Sequence, residues 1–334
     1  MPIRITTLHG LIAELASRSP AIASLTLATT LSDRSLEDEQ CNLANDVSSL
    51  DRIARVADLL TANGVPAVAL GKMMGDLLSE ANFYGQVCEF GVYDWLHIAG
   101  ATFNPQVHVN GTIILNPNGS DLDGVFEATE VYFDIKAFGF QTYVMETFRK
   151  KLERAVGSRH VMINGAADVS AKDVETLAFR QTTSLAAQLS TDGRAEIPQL
   201  GWKIRLETGQ VALGEQITDP YQVAGHNRYF PFKSARQFAR TKPFLLIFGF
   251  SHHFNQPLSV NFDDSTSTTL RALARRVFMQ MPNDAGLVTA YDRKSSPVSV
   301  GEASRLISGL LFVNFGNGDS WCYLVLDDFS HDDY

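Results

Sequence analysis

Cysteine is almost absent from this chain. The three residues present, Cys41, Cys88 and Cys322, are far apart and odd in number. That excludes a disulfide framework and a Cys-x-x-Cys zinc site, and it points to a reducing, cytoplasmic setting. Long apolar runs are also missing: none approaches the roughly 20 residues that span a bilayer, so no membrane partner is expected. The opening stretch MPIRITTLHGLIAELASRSP has only a short apolar segment, broken by Glu14, too little for a secretory signal. No Gly-x-Ser-x-Gly, Walker-type GxxxxGK or dinucleotide GxGxxG run stands where a strand would meet a helix. The segment GNGDS at 316–320 reads as a hairpin turn rather than a phosphate loop. Positive charge is scarce as well. Lys and Arg number 28 against 37 Asp and Glu, a net charge of −9, which weighs against a nucleic-acid partner. The distribution weighs the other way, because acidic residues crowd 33–39 and the C-terminal tail while basic ones gather at 148–160 and 226–244.

What is present is a globular composition, with 334 residues, 45% hydrophobic and 19% charged, enough for one large domain or two ordinary ones. The first 70 residues read as helices, with apolar positions three and four apart and Gly64 and Pro66 as stops. Further helices are expected through 69–83 and through GQVCEFGVYDWLHIAG, which Gly100 ends. The pattern then alternates. Segment 105–115 reads as a strand with Asn110-Gly111 a tight turn, and GVFEA and TEVYFDIKAF follow as two more strands. An amphipathic helix over 141–157 leads to a short apolar strand over 159–166, suited to a sheet interior. A helix after Ser170, strand GWKIRLE, a helical KSARQFART, strand KPFLLIFGFS, a basic helix STTLRALARRVFMQM and a terminal strand pair complete a mixed α/β chain.

Chemistry concentrates in TEVYFDIKAFG. Asp134 and Lys136 are two apart on a strand, so both side chains leave one face, while Phe133, Ile135 and Ala137 point the other way. Buried in a sheet interior, a plain ion pair there would be costly. A carboxylate that holds a divalent cation beside a Lys that steadies phosphate charge gives the pair a purpose. Asp123 precedes Asp134 with ten residues between them, and adjacent antiparallel strands of that length bring the two carboxylates together on an open, wet cluster. Asp121 competes for the same place.

These residues, Asp123, then Asp134-x-Lys136, resemble the motif of the restriction-endonuclease-like superfamily of metal-dependent nucleases. The order helix, three strands, helix, strand over about 84–166 is similar to that family's core. The resemblance implies a restriction-endonuclease-like fold with a central mixed sheet at 84–260, helical at 1–83 and with an α+β extension at 261–334. It implies a metal-linked Glu on the first helix, eleven residues before Gly100 at Glu89, with Glu80 as competitor. It also implies a Gln shortly after the Lys, for which Gln141 stands. The chain departs from the family in lacking a Pro-Asp dipeptide and in having Asp at 134, where Glu is commoner. Asp123, Asp134 and Glu89 are then the expected ligands of Mg²⁺, with Mn²⁺ as substitute. Lys136 would orient water or stabilise the pentacovalent phosphate.

The expected reaction is phosphodiester hydrolysis, of DNA rather than RNA by family habit, in prokaryotic defence, restriction or a mobile element. Alternatives are a non-catalytic binding module on the same fold, an RNase, or a phosphodiesterase for a small nucleotide. In 226–244, Arg228, Lys233 and Arg236 are candidate phosphate contacts, with Tyr229 or Phe230 against bases; the N-terminal helices or the C-terminal third would give further grip or a homodimer surface. Other candidates read as bland. His252-His253 lack zinc-like company, His108 and His160 read as surface or structural groups, Cys88 as core, and Asp292-Arg293-Lys294 is a decoy without a following helix. Lys150, Lys151 and Arg154 read as the wet side of their helix.

Overall fold

The computed structural model describes residues 4–79, 82–138, 141–157, 160–165, 169, 173–207, 219–228, 230–251, 264–287, 298–315 and 320–327. The chain divides into two compact units. Unit 1 is Met1–Phe138, Ser234–Asn261 and Arg305–Tyr334; unit 2 is Gly139–Lys233 and Phe262–Ser304. The boundaries expected at 83/84 and 260/261 both fall inside unit 1. The N-terminal helices are not a separate body, because Leu50, Leu77 and Phe90 share one hydrophobic core with Phe133, Ile247 and Val313 of the sheet.

Helices α1 (Leu8–Arg18), α2 (Pro20–Ala23), α3 (Leu27–Thr30), α4 (Asp38–Ala44), α5 (Val47–Ala62), α6 (Ala67–Leu78) and α7 (Phe83–Ile98) open unit 1. In α5, Leu50, Ile53, Ala57 and Leu60 recur at helical spacing on the buried face, and the Asp46 side chain caps the start by accepting from Ser48 N–H. Gly64, at φ 81°, turns the chain out of that helix. No helix among the described residues is long and apolar enough to cross a membrane.

The strands are β1 (Phe103–Val109), β2 (Ser120–Phe126), β3 (Val131–Ala137), β4 (His160–Asn164), β5 (Arg194–Ile197), β6 (Trp202–Glu207), β7 (Phe244–Phe250), β8 (Gly309–Asn314) and β9 (Trp321–Leu326). The architecture is mixed α/β. In unit 1 a six-stranded mixed sheet runs β1-β2-β3-β7-β8-β9, with β1, β2 and β3 antiparallel in turn, β3, β7 and β8 parallel, and β9 antiparallel to β8. β1 stops at Val109, short of the expected 115. Asn110 and Gly111 do turn the chain, but Leu115 and Asn116 N–H then donate to Phe238 O and Arg236 O rather than to a strand.

The strand parallel to β3 is β7, and the strand expected over 159–166 does not enter this sheet's interior. Residues 160–164 form β4, an edge of a separate three-stranded antiparallel sheet in unit 2, ordered β4-β6-β5. Burial explains the exchange. An interior parallel strand is covered on both faces; β7 is buried at every position but one, whereas His160 and Asn164 are exposed. Unit 2 has its own core, in which Phe148 and Leu152 of helix α8 (Gln141–Ala155) meet Leu185, Leu189, Trp202 and Ile204. The single helix expected after Ser170 is there a π turn, a 3-10 turn and then helix Thr182–Asp192, and β5 was not foreseen.

Gly124 is where β1 and β2 need a residue without a side chain. A Cβ there would run into the Phe133 ring and sit 2.8 Å from Asn104 O. Gly124→Ala is therefore expected to destabilise unit 1 by about 1–3 kcal/mol through overpacking. A lower urea midpoint with unchanged slope is the predicted reading.

Candidate active site

Asp123 and Asp134 meet where the β2–β3 ladder ends. The register pairs Phe126 with Val131, Val125 with Tyr132 and Gly124 with Phe133; one further step sets Asp123 opposite Asp134. No strand pair forms there. Instead the Ile135 N–H donates to Asp123 Oδ2 at 2.5 Å, so a side-chain carboxylate satisfies a main-chain donor of β3.

As the alternation requires, Phe133 and Ile135 enter the hydrophobic core and Asp134 and Lys136 leave from the other face. That face is not the wet cluster expected from sequence. The parallel register puts Leu246 beside Asp134 and Phe248 beside Lys136, and Asp134 is only 1% exposed. The Lys136 ammonium lies 2.5 Å from Asp134 Oδ2. The ammonium and the Asp123 carboxyl are the groups against the Asp134 carboxylate. Lys136 Nζ also donates to Gln237 Oε1 at 3.2 Å, while Gln237 Nε2 donates to Asp121 O at 3.2 Å.

Helix α7 contributes the third carboxylate. Glu89 Oε2 accepts from Gln86 Nε2 and Oε1 from Gln106 Nε2, both at 2.9 Å. Tyr93, one turn further on, donates its hydroxyl to Asp123 O at 2.6 Å. Burial pushes the Glu89 carboxyl up from 4.5 to about 7, the amide of Gln86 and the charge of Lys136 opposing and the charge of Asp134 adding. Burial likewise drives the Asp123 carboxyl well above its usual range, reinforced by the charges of Asp134 and Glu89. For Lys136, burial works against the ammonium, but the charges of Asp134 and Asp123 outweigh it and hold the group above its usual value.

These shifts set a pH dependence. Glu89 and Asp123 bind protons in the folded protein at pH values where the unfolded chain has already released them. Stability of the metal-free protein should therefore fall as pH rises from about 4.5 towards 7 and beyond. Melting scans without divalent ions should give a lower midpoint at pH 8 than at pH 5.5; a midpoint that rises over this interval would contradict the buried acid cluster.

The sequence-expected residues divide as follows. Asp123, Asp134 and Lys136 come together, and Glu89 is close enough to feel all three charges. Asp121 is exposed and pairs across the strands with His108 at 2.8 Å. Glu80 lies outside the described residues, as do His252, His253, Tyr229, the decoy 292–294 and the turn 316–319. Gln141 opens α8 in unit 2, and its side chain is outside the described residues as well. The glutamine on Lys136 is Gln237, 101 residues along the chain, a distance no local spacing reveals. Gln86 and Tyr93, three before and four after Glu89, could have been found from helical spacing.

Of the basic candidates, Arg228 is exposed, Lys233 pairs with Glu175 and lies over the Phe230 ring, and Arg236 Nη2 donates to Asn116 Oδ1 at 2.9 Å. Lys151 lies over the Phe179 ring. Cys88 is buried with its thiol on Gly249 O, and burial raises its pKa far above that of a reactive thiol.

Among the described residues, no three His, Cys, Asp or Glu side chains form a ready-made metal cage. The donor set still fits Mg²⁺. Two adjoining carboxylates are available, Asp123 and the buried Asp134, the latter held on one oxygen by Lys136. Mg²⁺ usually takes one or two protein carboxylates and fills its shell with water and substrate oxygens. Both Glu89 oxygens already accept from amides. Set against protein-family models, curated proteins and solved structures, the chain matches none.

Proposed function

We propose that this chain is a Mg²⁺-dependent nuclease of the restriction-endonuclease-like kind, hydrolysing phosphodiester bonds, with DNA as substrate and defence or restriction as setting. The observation that carries the reading is Asp134. A carboxylate that is 1% exposed, held against Lys136 and next to a second buried carboxyl at Asp123, is an expensive arrangement for stability alone. The sheet supports it in part: α7 is followed by three antiparallel strands with β7 parallel beside the third, while α8, the helix that follows β3, lies in unit 2.

Asp123 and Asp134 would hold the cation, with Glu89 adding negative charge close by. When bound, Mg²⁺ supplies charge neutralisation at the phosphate and a more acidic water. Lys136 directs its ammonium to the same spot, where it holds a non-bridging phosphate oxygen and counters the charge that builds in the transition state. Gln237 aims that ammonium. The proton of the attacking water leaves towards solvent, because both Glu89 oxygens are occupied. Arg228, which is exposed, and Lys233, which is paired with Glu175, are the candidates for backbone phosphate.

The test is incubation of purified protein with plasmid, single-stranded DNA and RNA, each with Mg²⁺, Mn²⁺ or EDTA. Plasmid cleavage with either metal and none in EDTA is expected. Cleavage that survives EDTA, or failure on all three substrates, would overturn the proposal; cleavage of RNA alone would move the substrate and keep the chemistry.

A further inference from the structure

Gln106 has a backbone that its side chain ought to avoid. Its φ is 52°, in the left-handed region that a residue with a Cβ enters at a cost. The strain lies within strand β1. The β1–β2 register pairs Pro105 with Gly124 and Val107 with Leu122, but skips the pair between them, Gln106 and Asp123. A strand interrupted opposite one of the two Asp residues of the site is local distortion at a functional place, held by the surrounding structure.

The distortion aims one amide. Gln106 Nε2 donates to Glu89 Oε1 at 2.9 Å and to the Tyr93 hydroxyl at 3.1 Å, and that hydroxyl donates in turn to Asp123 O. Both hydrogens of one NH₂ group are thus used. The other donor to Glu89, Gln86, sits on the same helix as Glu89 and cannot fix that helix to the sheet. Gln106 can, because it comes from β1. It is also neutral, so it orients the carboxylate without cancelling the negative charge that a cation needs.

We propose that Gln106 is a positioning residue of this site: it ties Glu89 and Tyr93 of α7 to the sheet and so holds the Glu89 carboxylate near the Asp123–Asp134 pair. The inference rests on the nuclease reading for its metal, but it makes a separate claim, that Gln106 acts through Glu89. Gln106→Ala removes the amide; Gln106→Gly removes it and also relieves the backbone. Glu89→Ala and the double variant Glu89→Ala/Gln106→Ala complete a thermodynamic cycle.

Mn²⁺ binding by titration calorimetry is the first readout. Gln106→Ala and Gln106→Gly should each weaken Mn²⁺ binding by about tenfold or more, as loss of a group that orients a ligand does. In the Glu89→Ala background, Gln106→Ala should change the affinity by less than about twofold, since its route is already gone. Gln106→Gly should melt no lower than Gln106→Ala, so that a loss of metal affinity in it is not a loss of fold. Cleavage at saturating plasmid should fall with the affinity, with KM for DNA unchanged. Losses that multiply in the double variant, or unaltered Mn²⁺ affinity in Gln106→Ala, would overturn the role of Gln106. Wild-type protein that binds Mn²⁺ yet cuts nothing would overturn the nuclease reading and leave the cycle to judge Gln106; wild-type protein that binds no Mn²⁺ would remove both.

Discussion

Lys136→Ala is expected to stay folded, to cleave at least about a hundredfold more slowly, and to become markedly less stable in the absence of metal. The loss of rate is the order seen when one preorganised electrostatic donor is deleted from a transition state. The loss of stability has a different origin. Lys136 is the ion-pair partner of a carboxylate that is 1% exposed. Removing it strands that charge, at a cost of about 3 kcal/mol or a forced protonation. Mg²⁺ at a hundred times its dissociation constant should return about 2.7 kcal/mol, because it binds only the folded site. Urea unfolding with and without Mg²⁺, alongside plasmid cleavage, separates the two effects. Undiminished cleavage would show that the ammonium has no part in the chemistry. Equal stability of the variant and wild type without metal would show that Asp134 is better solvated than its burial indicates.

Asp134→Asn should also lower the stability of the metal-free protein and have a similar effect on cleavage. The substitution keeps the shape and removes the charge that holds the Lys136 ammonium against burial. The melting point of the metal-free variant is expected to fall by about 2 °C or more. Cleavage should fall by at least about a hundredfold, and Mg²⁺ should no longer raise the melting point. Retained Mg²⁺ stabilisation in Asp134→Asn would move the cation away from this pair.

Asp134 and Lys136 were legible because a strand repeats every two residues, and Asp123 because a short hairpin limits which residues can face each other. Helix α5 was legible from Leu50, Ile53, Ala57 and Leu60. What could not be read depends on partners distant in the chain. The identity of the strand beside β3 is one case, since parallel neighbours are joined by crossovers of no fixed length. The apolar company of Asp134 and Lys136 follows from the same fact, because Leu246 and Phe248 stand beside them only when β7 is the neighbour. Gln237 reaches Lys136 by the same route. Gln106 was invisible for another reason: its left-handed backbone carries neither the Gly nor the Asn that usually announces one.

The division of the chain into interleaved units has a consequence for its synthesis. Roughly a hundred residues separate the end of β3 from the start of β7, which a ribosome adding about 5–20 residues per second takes about 5–20 s to deliver. For that time β3 has its antiparallel neighbour β2 but no parallel one, and Asp134 and Lys136 lack Leu246 and Phe248 beside them. Unit 2 is no nearer completion, since its own second segment, Phe262–Ser304, is made after β7, and unit 1 must wait for β8 and β9. Neither unit is a contiguous stretch, so no single truncation releases one intact. The acid pair gains neighbours on both sides only once β7, about a hundred residues further along the chain, has emerged.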